Sequence, residues 1–400
     1  MLHNLILHNL LLHNLMLHTM NQSERELLQR AVTPSSSSAG VTNDAVVLQQ
    51  QQPLQVQDDM TDDSSSNIQD TVQDNVRIHP QGPLLPILLQ LILWSTLGLL
   101  IRTGLLHLHA YPIPPVAAIV SPQVVGCLIL GWVNRNRTVL AKRSPNLLIG
   151  LSVGLCGSIT TFSSFALATY QEFSGIGRPM RTLNENILAG FSIIWTTMGM
   201  SIVSIMAGAQ FSDLFPILDF LENSTLMCSK MDKLQTYTDS TVGKTWVPLG
   251  LCAIVYASVV ASWLTGHAPM SLVLGLVLAP VGTLLRFTLS RFNLLYPPFP
   301  VGTFTVNMLG SAFLVGLFFW RASVLSDSTS CAALIGLMDG FCGCLTTIST
   351  FTMELSKLSV RDGYIYALSS IGISQLLGAV IVSIWTRTNS IVTMQPVCTA

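Results

Sequence analysis

After residue 83, apolar stretches of roughly 20 residues recur nine times, each the length an α-helix needs to cross a hydrocarbon core about 30 Å thick. They run approximately over 84–106, 115–133, 147–170, 187–209, 247–266, 271–291, 301–320, 332–356 and 363–385. The runs are continuous, whereas a membrane β-barrel alternates apolar and polar residues along each strand. Only 10% of the 400 residues are charged, against roughly a quarter in an average soluble domain. The lipid bilayer is therefore the expected surrounding. A net charge of −1 without any long basic run argues against a nucleic-acid partner, because phosphate binding needs clustered Lys and Arg.

Residues 1–83 read as a separate region. Leu-His-Asn recurs every five residues from His3, a period that fits neither a helix face nor a strand. Thr33 to Asn75 is rich in Ser, Gln and Asp and has no aromatic residue, so it buries too little surface to offset its ordering entropy. A disordered cytoplasmic tail is expected. The eight Cys lack the paired spacing of a disulfide scaffold or zinc site and read as small packing residues.

The first four spans match the last four in the same order. Arg102 and Arg286 close similar Leu-rich runs, and Gly126-Cys127 lies over Gly310-Ser311. The tightest match sets Gly154-Leu-Cys-Gly-Ser-Ile-Thr-Thr-Phe-Ser-Ser-Phe165 over Gly340-Phe-Cys-Gly-Cys-Leu-Thr-Thr-Ile-Ser-Thr-Phe351. Four spans return a chain to its starting side, so the extra span at 247–266 inverts the second unit. The fold class expected is an all-α membrane protein of nine transmembrane helices: a four-helix unit over 84–210, a cytoplasmic loop over 211–246 with a short amphipathic helix, a linker helix over 247–270, and an inverted unit over 271–390. Eleven Lys and Arg flank the spans on the side of the N-terminal tail and four, Arg178, Arg181, Arg321 and Arg387, on the other. This bias places the N-terminus in the cytoplasm and the C-terminus outside.

A helix break in lipid persists only where protein, water or an ion takes up the released backbone groups. Gly157, Ser158, Thr160 and Thr161, mirrored by Gly343, Cys344, Thr346 and Thr347, form such a break within a span. In antiparallel units the two breaks meet at the bilayer midplane, where carbonyls of Gly157, Thr160, Gly343 and Thr346 can enclose a dehydrated cation; the plainer alternative is close helix packing by small residues. Phe162, Phe165 and Phe351 follow the breaks, either as core or as ring edges that attract a small anion. Asn307, inside a span, is either a pore-facing donor or half of an interhelical bond. Tyr366, Ser370 and Ser374 make a hydroxyl stripe on one helix face. Arg102 and Arg286 either raise anion concentration at a vestibule or snorkel to the interface. Asp339, opposite Val153, has no assigned role.

These motifs resemble the fluoride channels of the CrcB or Fluc type and their eukaryotic fused form, the FEX fluoride exporters. The similarity covers about 84–390. It implies an antiparallel arrangement with two pores and a structural sodium ion held by Gly157, Thr160, Gly343 and Thr346. By the same resemblance Phe162, Phe165, Phe351 and Asn307 contact fluoride, and Tyr366, Ser370 and Ser374 form a polar track. Two positions depart from the pattern: Ile348 replaces a Phe and Gln123 an Asn. The expectation is that both losses fall on one pore, leaving the other with Phe162, Phe351 and Asn307.

The function implied is a passive, selective fluoride channel of the plasma membrane, active as a monomer, that exports fluoride and protects the cell from its toxicity. An inside-negative potential favours anion exit by about 2.3 kcal/mol per 100 mV, and no phosphate-binding loop is present. The alternative is a proton-coupled transporter of the small multidrug type, which needs a membrane-embedded carboxylate, with Asp339 the candidate. An intramembrane enzyme finds no His-Glu-x-x-His or Ser-His constellation in the spans. A non-conducting scaffold predicts that Phe and Asn substitutions leave fluoride tolerance unchanged.

Overall fold

The computed structural model describes residues 84–109, 111, 116–215, 241–323 and 328–388, and every described residue in regular secondary structure is helical. The expected tail and most of the 211–246 loop lie outside them. Helix α1 (Leu84–Leu108) carries Pro86 in its first turn, where a missing N–H costs no helical bond. It is followed by α2 (Val120–Arg135) and the short α3 (Arg137–Arg143). Ser144 caps α4 (Pro145–Ile149) by accepting from Leu147 N–H, with proline preorganised at the first helical position. The chain then widens into a π-helix over Gly150–Cys156, tightens through α5 (Gly157–Ile159) and restarts as α6 (Phe162–Ser174). Thr182 and Glu185 form a reciprocal capping box at the head of the 32-residue α7 (Leu183–Leu214), satisfying two N–H groups that a helix start leaves bare.

The remaining described helices are α8 (Thr241–Leu264), α9 (Met270–Leu289), α10 (Val301–Ser323), α11 (Ser328–Gly336), α12 (Gly343–Leu345), α13 (Ile348–Leu355) and α14 (Val360–Thr388). A second π-helix, Leu337–Cys342, lies between α11 and α12. The third span of each unit therefore carries the same sequence of π-helix, single helical turn, break and restart. Eight segments among the described residues are long and apolar enough to cross a membrane, which makes this an all-α membrane protein.

Two expectations are corrected here. The predicted second span, 115–133, is the 16-residue helix α2; at about 1.5 Å per residue it extends about 24 Å, short of a full hydrocarbon core. Eight of the nine expected spans are long and apolar enough to cross among the described residues, and α2 is the shorter ninth apolar helix. Cys331 is disulfide-bonded, unlike the buried free thiols Cys127, Cys156, Cys252, Cys342 and Cys344. The small-packing reading holds for those five and fails for Cys331.

The linker helix α8 shows large apolar side chains such as Trp246 and Ile254 on its outer surface, as a lipid-facing helix does. Its inner side touches a small core of Leu99, Leu276, Ala279 and Cys344. The Tyr256 hydroxyl there donates to Leu276 O at 2.9 Å. The largest core cluster near the breaks joins Phe162, Phe165, Ile193, Met308, Ile348, Phe351 and Tyr366. Residues of both matched units meet in it.

Candidate functional site

Each break is two extended residues. Thr160 (φ −90°, ψ 148°) and Thr161 (φ −144°, ψ 123°) separate α5 from α6, and Thr346 (φ −97°, ψ 156°) and Thr347 (φ −152°, ψ 134°) separate α12 from α13. Extended backbone cannot complete the helical ladder, so the local N–H groups turn elsewhere. Ser164 N–H is taken by the Thr161 hydroxyl and Thr350 N–H by the Thr347 hydroxyl, each acting as a cap. Thr161 N–H goes to Gln123 Oε1 at 3.2 Å and Thr347 N–H to Asn307 Oδ1 at 3.0 Å.

Those diversions release particular carbonyls. An unbroken helix would direct Thr161 N–H at Gly157 O and Ser164 N–H at Thr160 O, and likewise Thr347 at Gly343 O and Thr350 at Thr346 O. The four carbonyls expected to face a cation are among those that lose their helical donors; Ile159 O and Leu345 O lose theirs as well, because Ser163 N–H and Ser349 N–H are diverted to the opposite break. Carbonyl oxygens suit a hard cation such as sodium. Among the described residues no group of three His, Cys, Asp or Glu side chains is placed to hold a metal; the oxygens at the breaks are backbone carbonyls and Thr and Ser hydroxyls.

The two breaks interlock reciprocally. The Thr160 and Thr347 hydroxyls lie 3.1 Å apart, as do those of Thr161 and Thr346. Ser163 N–H donates to Thr346 Oγ1 at 3.0 Å and Ser349 N–H to Thr160 Oγ1 at 3.1 Å. The Ser163 hydroxyl donates to Cys342 O and that of Ser349 to Cys156 O. Every contact has its counterpart with the two units exchanged, the mark of a self-complementary two-fold contact.

Asn307 and Gln123 take equivalent places. Asn307 Nδ2 donates to Thr347 O at 3.3 Å and Gln123 Nε2 to Thr161 O at 3.0 Å, so each amide clamps the N–H and the C=O of the second break residue. Of the two candidate roles for Asn307, the interhelical bond is present. The longer Gln123 makes the same pair of bonds to Thr161.

Arg102 and Arg286 are buried, at 2% and 4% exposed. From sequence each is expected to face a vestibule or snorkel to an interface, and their burial corrects both alternatives. Arg102 Nη1 donates to Ser158 O at 2.8 Å and Nη2 to Asp339 O. Arg286 Nε donates to Cys344 O at 3.0 Å and Nη2 to Val153 O at 2.9 Å. A π-helix and a break leave carbonyls short of donors, and the guanidinium fork takes them up.

Beyond the breaks the aromatic rings form a continuous chain. Phe162 meets Phe165 at 5.5 Å and Phe351 at 5.4 Å between ring centroids, both edge to face, and Phe351 meets Tyr366 at 4.9 Å. All four are fully buried. The Tyr366 hydroxyl donates to Glu354 Oε2 at 2.9 Å; Thr303 and Asn293 donate to Glu354 Oε1 at 2.6 and 3.0 Å. Glu354 was missed by sequence reasoning, although a carboxylate inside the eighth predicted span was its signal. Below Tyr366 on α14, Ser374 donates to Ile371 O, whereas the buried Ser370 hydroxyl finds no partner.

A second stripe was also missed. Ile193, Thr197 and Ser201 on α7 are buried at the same four-residue spacing as Tyr366, Ser370 and Ser374. Ile193 shares the core cluster of Tyr366, and Thr197, like Ser370, keeps an unpartnered hydroxyl. Recurrence of small hydroxyl residues at every fourth position was the available signal. Ile193 therefore stands where the other stripe has Tyr366, and Ile348 where the first unit has Phe162.

No solved structure matches the chain. "Fluoride export protein 1" of Neurospora crassa is 30% identical over 343 residues, 70% of this chain and 63% of that protein, so this chain spans less than two thirds of that relative. "Fluoride export protein 1" of Candida albicans is 28% identical over 325 residues, 74% and 80% of the two chains. "Fluoride-specific ion channel FluC" of Thermococcus gammatolerans is 44% identical over 90 residues, 22% of this chain and 69% of its own. The model of the family described as "CrcB-like protein, Camphor Resistance (CrcB)" matches residues 89–209 and 273–385, covering both halves around the linker, and the chain belongs to that family.

Proposed function

We propose that this protein is a passive fluoride-selective channel that lets fluoride leave the cytoplasm and so protects the cell. The relatives' names, fluoride export protein and fluoride-specific ion channel, support the ion and the direction. The observation that carries the mechanism is the ring chain of Phe162, Phe351 and Tyr366, edge to face at its first contact and tilted at its second, with the unpartnered, fully buried Ser370 hydroxyl one turn from Tyr366 on the same helix. Ring edges carry positive partial charge. A hydroxyl without an acceptor donates to a passing anion, and leaving it unpaired otherwise costs about 1–3 kcal/mol. Small, strong acceptors gain most from such donors, which sets fluoride above chloride.

One path conducts in this reading. It takes Phe162, Phe351 and Tyr366 with Ser370 and Ser374, and Asn307 holds the neighbouring break. The other path would take Phe165, Ile348, Ile193, Thr197 and Ser201, with aliphatic side chains at two of the aromatic positions. Their concentration on one side supports a single working route.

Sodium sits between the breaks on the carbonyls of Gly157, Thr160, Gly343 and Thr346, and the loss of all four helical donors supports that placement. Its role is structural: a bound cation compensates oxygens that lipid would leave unsatisfied. The reciprocal Thr pairs support an inverted repeat, with α2 as a short ninth crossing. The chain acts as a monomer in the plasma membrane, N-terminus in the cytoplasm and C-terminus outside, in keeping with the charge bias. A proton-coupled transporter gains no support from the relatives' names.

The deciding experiment reconstitutes the protein in liposomes and follows fluoride and chloride efflux with ion-selective electrodes. Fluoride efflux driven by potential alone, with chloride retained, is expected. Equal chloride efflux, or a requirement for a proton gradient, would refute the reading.

A further inference from the structure

We propose that Arg102 and Arg286 are positioning residues for the paired breaks, each seated in the glycine of the opposite unit. A Cβ added to Gly343 would meet Arg102 Nη2 at 2.5 Å, and one added to Gly157 would overlap the Arg286 guanidinium. The glycines are therefore sockets, needed for the space that a foreign side chain fills. This is a reason for glycine distinct from backbone freedom, since Gly157 and Gly343 have ordinary helical φ of −69° and −64°.

The hydrogen bonds make the arrangement a crossed staple. Arg102 joins Ser158 O of the first unit to Asp339 O of the second. Arg286 joins Cys344 O of the second to Val153 O of the first. Val153 and Asp339 occupy matched places in the two π-helices, and Ser158 and Cys344 matched places in the single turns that follow. The guanidiniums thereby occupy four carbonyls next to the four left for the cation and fix the turn on which Gly157 and Gly343 present their oxygens. An ammonium is a compact charge without the planar fork, so Lys cannot bridge two carbonyls with the same geometry.

Neither unit completes its break alone. Each break requires an arginine from the other half as well as the reciprocal Thr contacts.

A pair of double-mutant cycles tests the crossing. Gly157→Ala is expected to lower fluoride efflux by about tenfold, the loss for about 1.4 kcal/mol. Arg286→Lys, which thins the group facing the new methyl, should recover much of it, and Arg102→Lys none. Gly343→Ala should answer to Arg102→Lys and not to Arg286→Lys. Rescue by both lysines, or by neither, would overturn the proposal.

Should the alanine variants fail to fold, the single Arg→Lys variants decide. Loosened carbonyls should raise the sodium concentration giving half-maximal thermal stabilisation several-fold, and an unchanged midpoint would overturn the positioning role. The role assumes that the break holds a cation. Melting of the unsubstituted protein that ignores sodium would refute that assumption, while the alanine–lysine cycles still judge the crossed pairing.

Discussion

Single side chains around the breaks make separable demands. Asn307 satisfies both the N–H and the C=O of Thr347. Asn307→Ala orphans two buried backbone groups, each worth about 1–3 kcal/mol, and thermal unfolding in detergent should show a correspondingly large loss. Asn307→Gln, imitating Gln123, should retain most of the stability. Phe162 and Phe165 lie one helical turn apart and touch, but Phe162 is the link to Phe351 whereas Phe165 ends the ring chain. Phe162→Ile is expected to lower fluoride efflux by about tenfold or more and Phe165→Ile by less than about twofold, since narrow filters respond to the groups that line them. Equal losses would remove the case for one route. The two break positions were legible at this level because Gly and Thr recur twice in one pattern. The arginine roles were not: an Arg near a span end reads alike whether it snorkels or turns inward, and only the carbonyls released 56 and 237 residues away decide between them.

Helices α14 and α7 show how a shared spacing serves two ends. Both present a buried stripe at every fourth residue, with tyrosine heading one and isoleucine the other. Ser370→Ala should separate conduction from stability, because it removes a hydroxyl that has no partner in the fold. Fluoride efflux should fall while the melting temperature holds or rises, an unpaired buried donor having been removed. A fall in both would mean that Ser370 is a packing group. Tyr366→Phe should reduce efflux by releasing Glu354 from its hydroxyl donor, and liposome efflux rates check it. The long apolar runs gave these helices away in the sequence. Helix α2 was overextended because hydropathy continues through 115–119, whereas the helix starts only at Val120. The α7 stripe was hidden because Thr and Ser within an apolar run have the same composition whether they line a path or bond back to their own helix, as Ser201 does to Thr197 O.

Across the protein, two matched units share one midline held by threonine pairs, crossed arginines and, as proposed, sodium. Replacing sodium by a large organic cation should lower the melting temperature of the purified protein and slow fluoride efflux, and restoring sodium should reverse both. Indifference to the exchange would argue that protein donors alone satisfy the breaks. The duplication and its register were legible because matched motifs survive in both halves. The interlocking was not, since it depends on contacts between residues more than 180 positions apart.

The departure of Ile348 from Phe162 has a consequence for inheritance. In an assembly of two identical chains, every substitution strikes both routes at once, so neither route can be relaxed alone. Joining the copies in a single polypeptide gives each its own mutational fate. A saturation scan selecting for growth in fluoride should therefore tolerate changes at Ile348 and Ile193 far more readily than at Phe351 and Tyr366, while both threonine pairs remain equally intolerant.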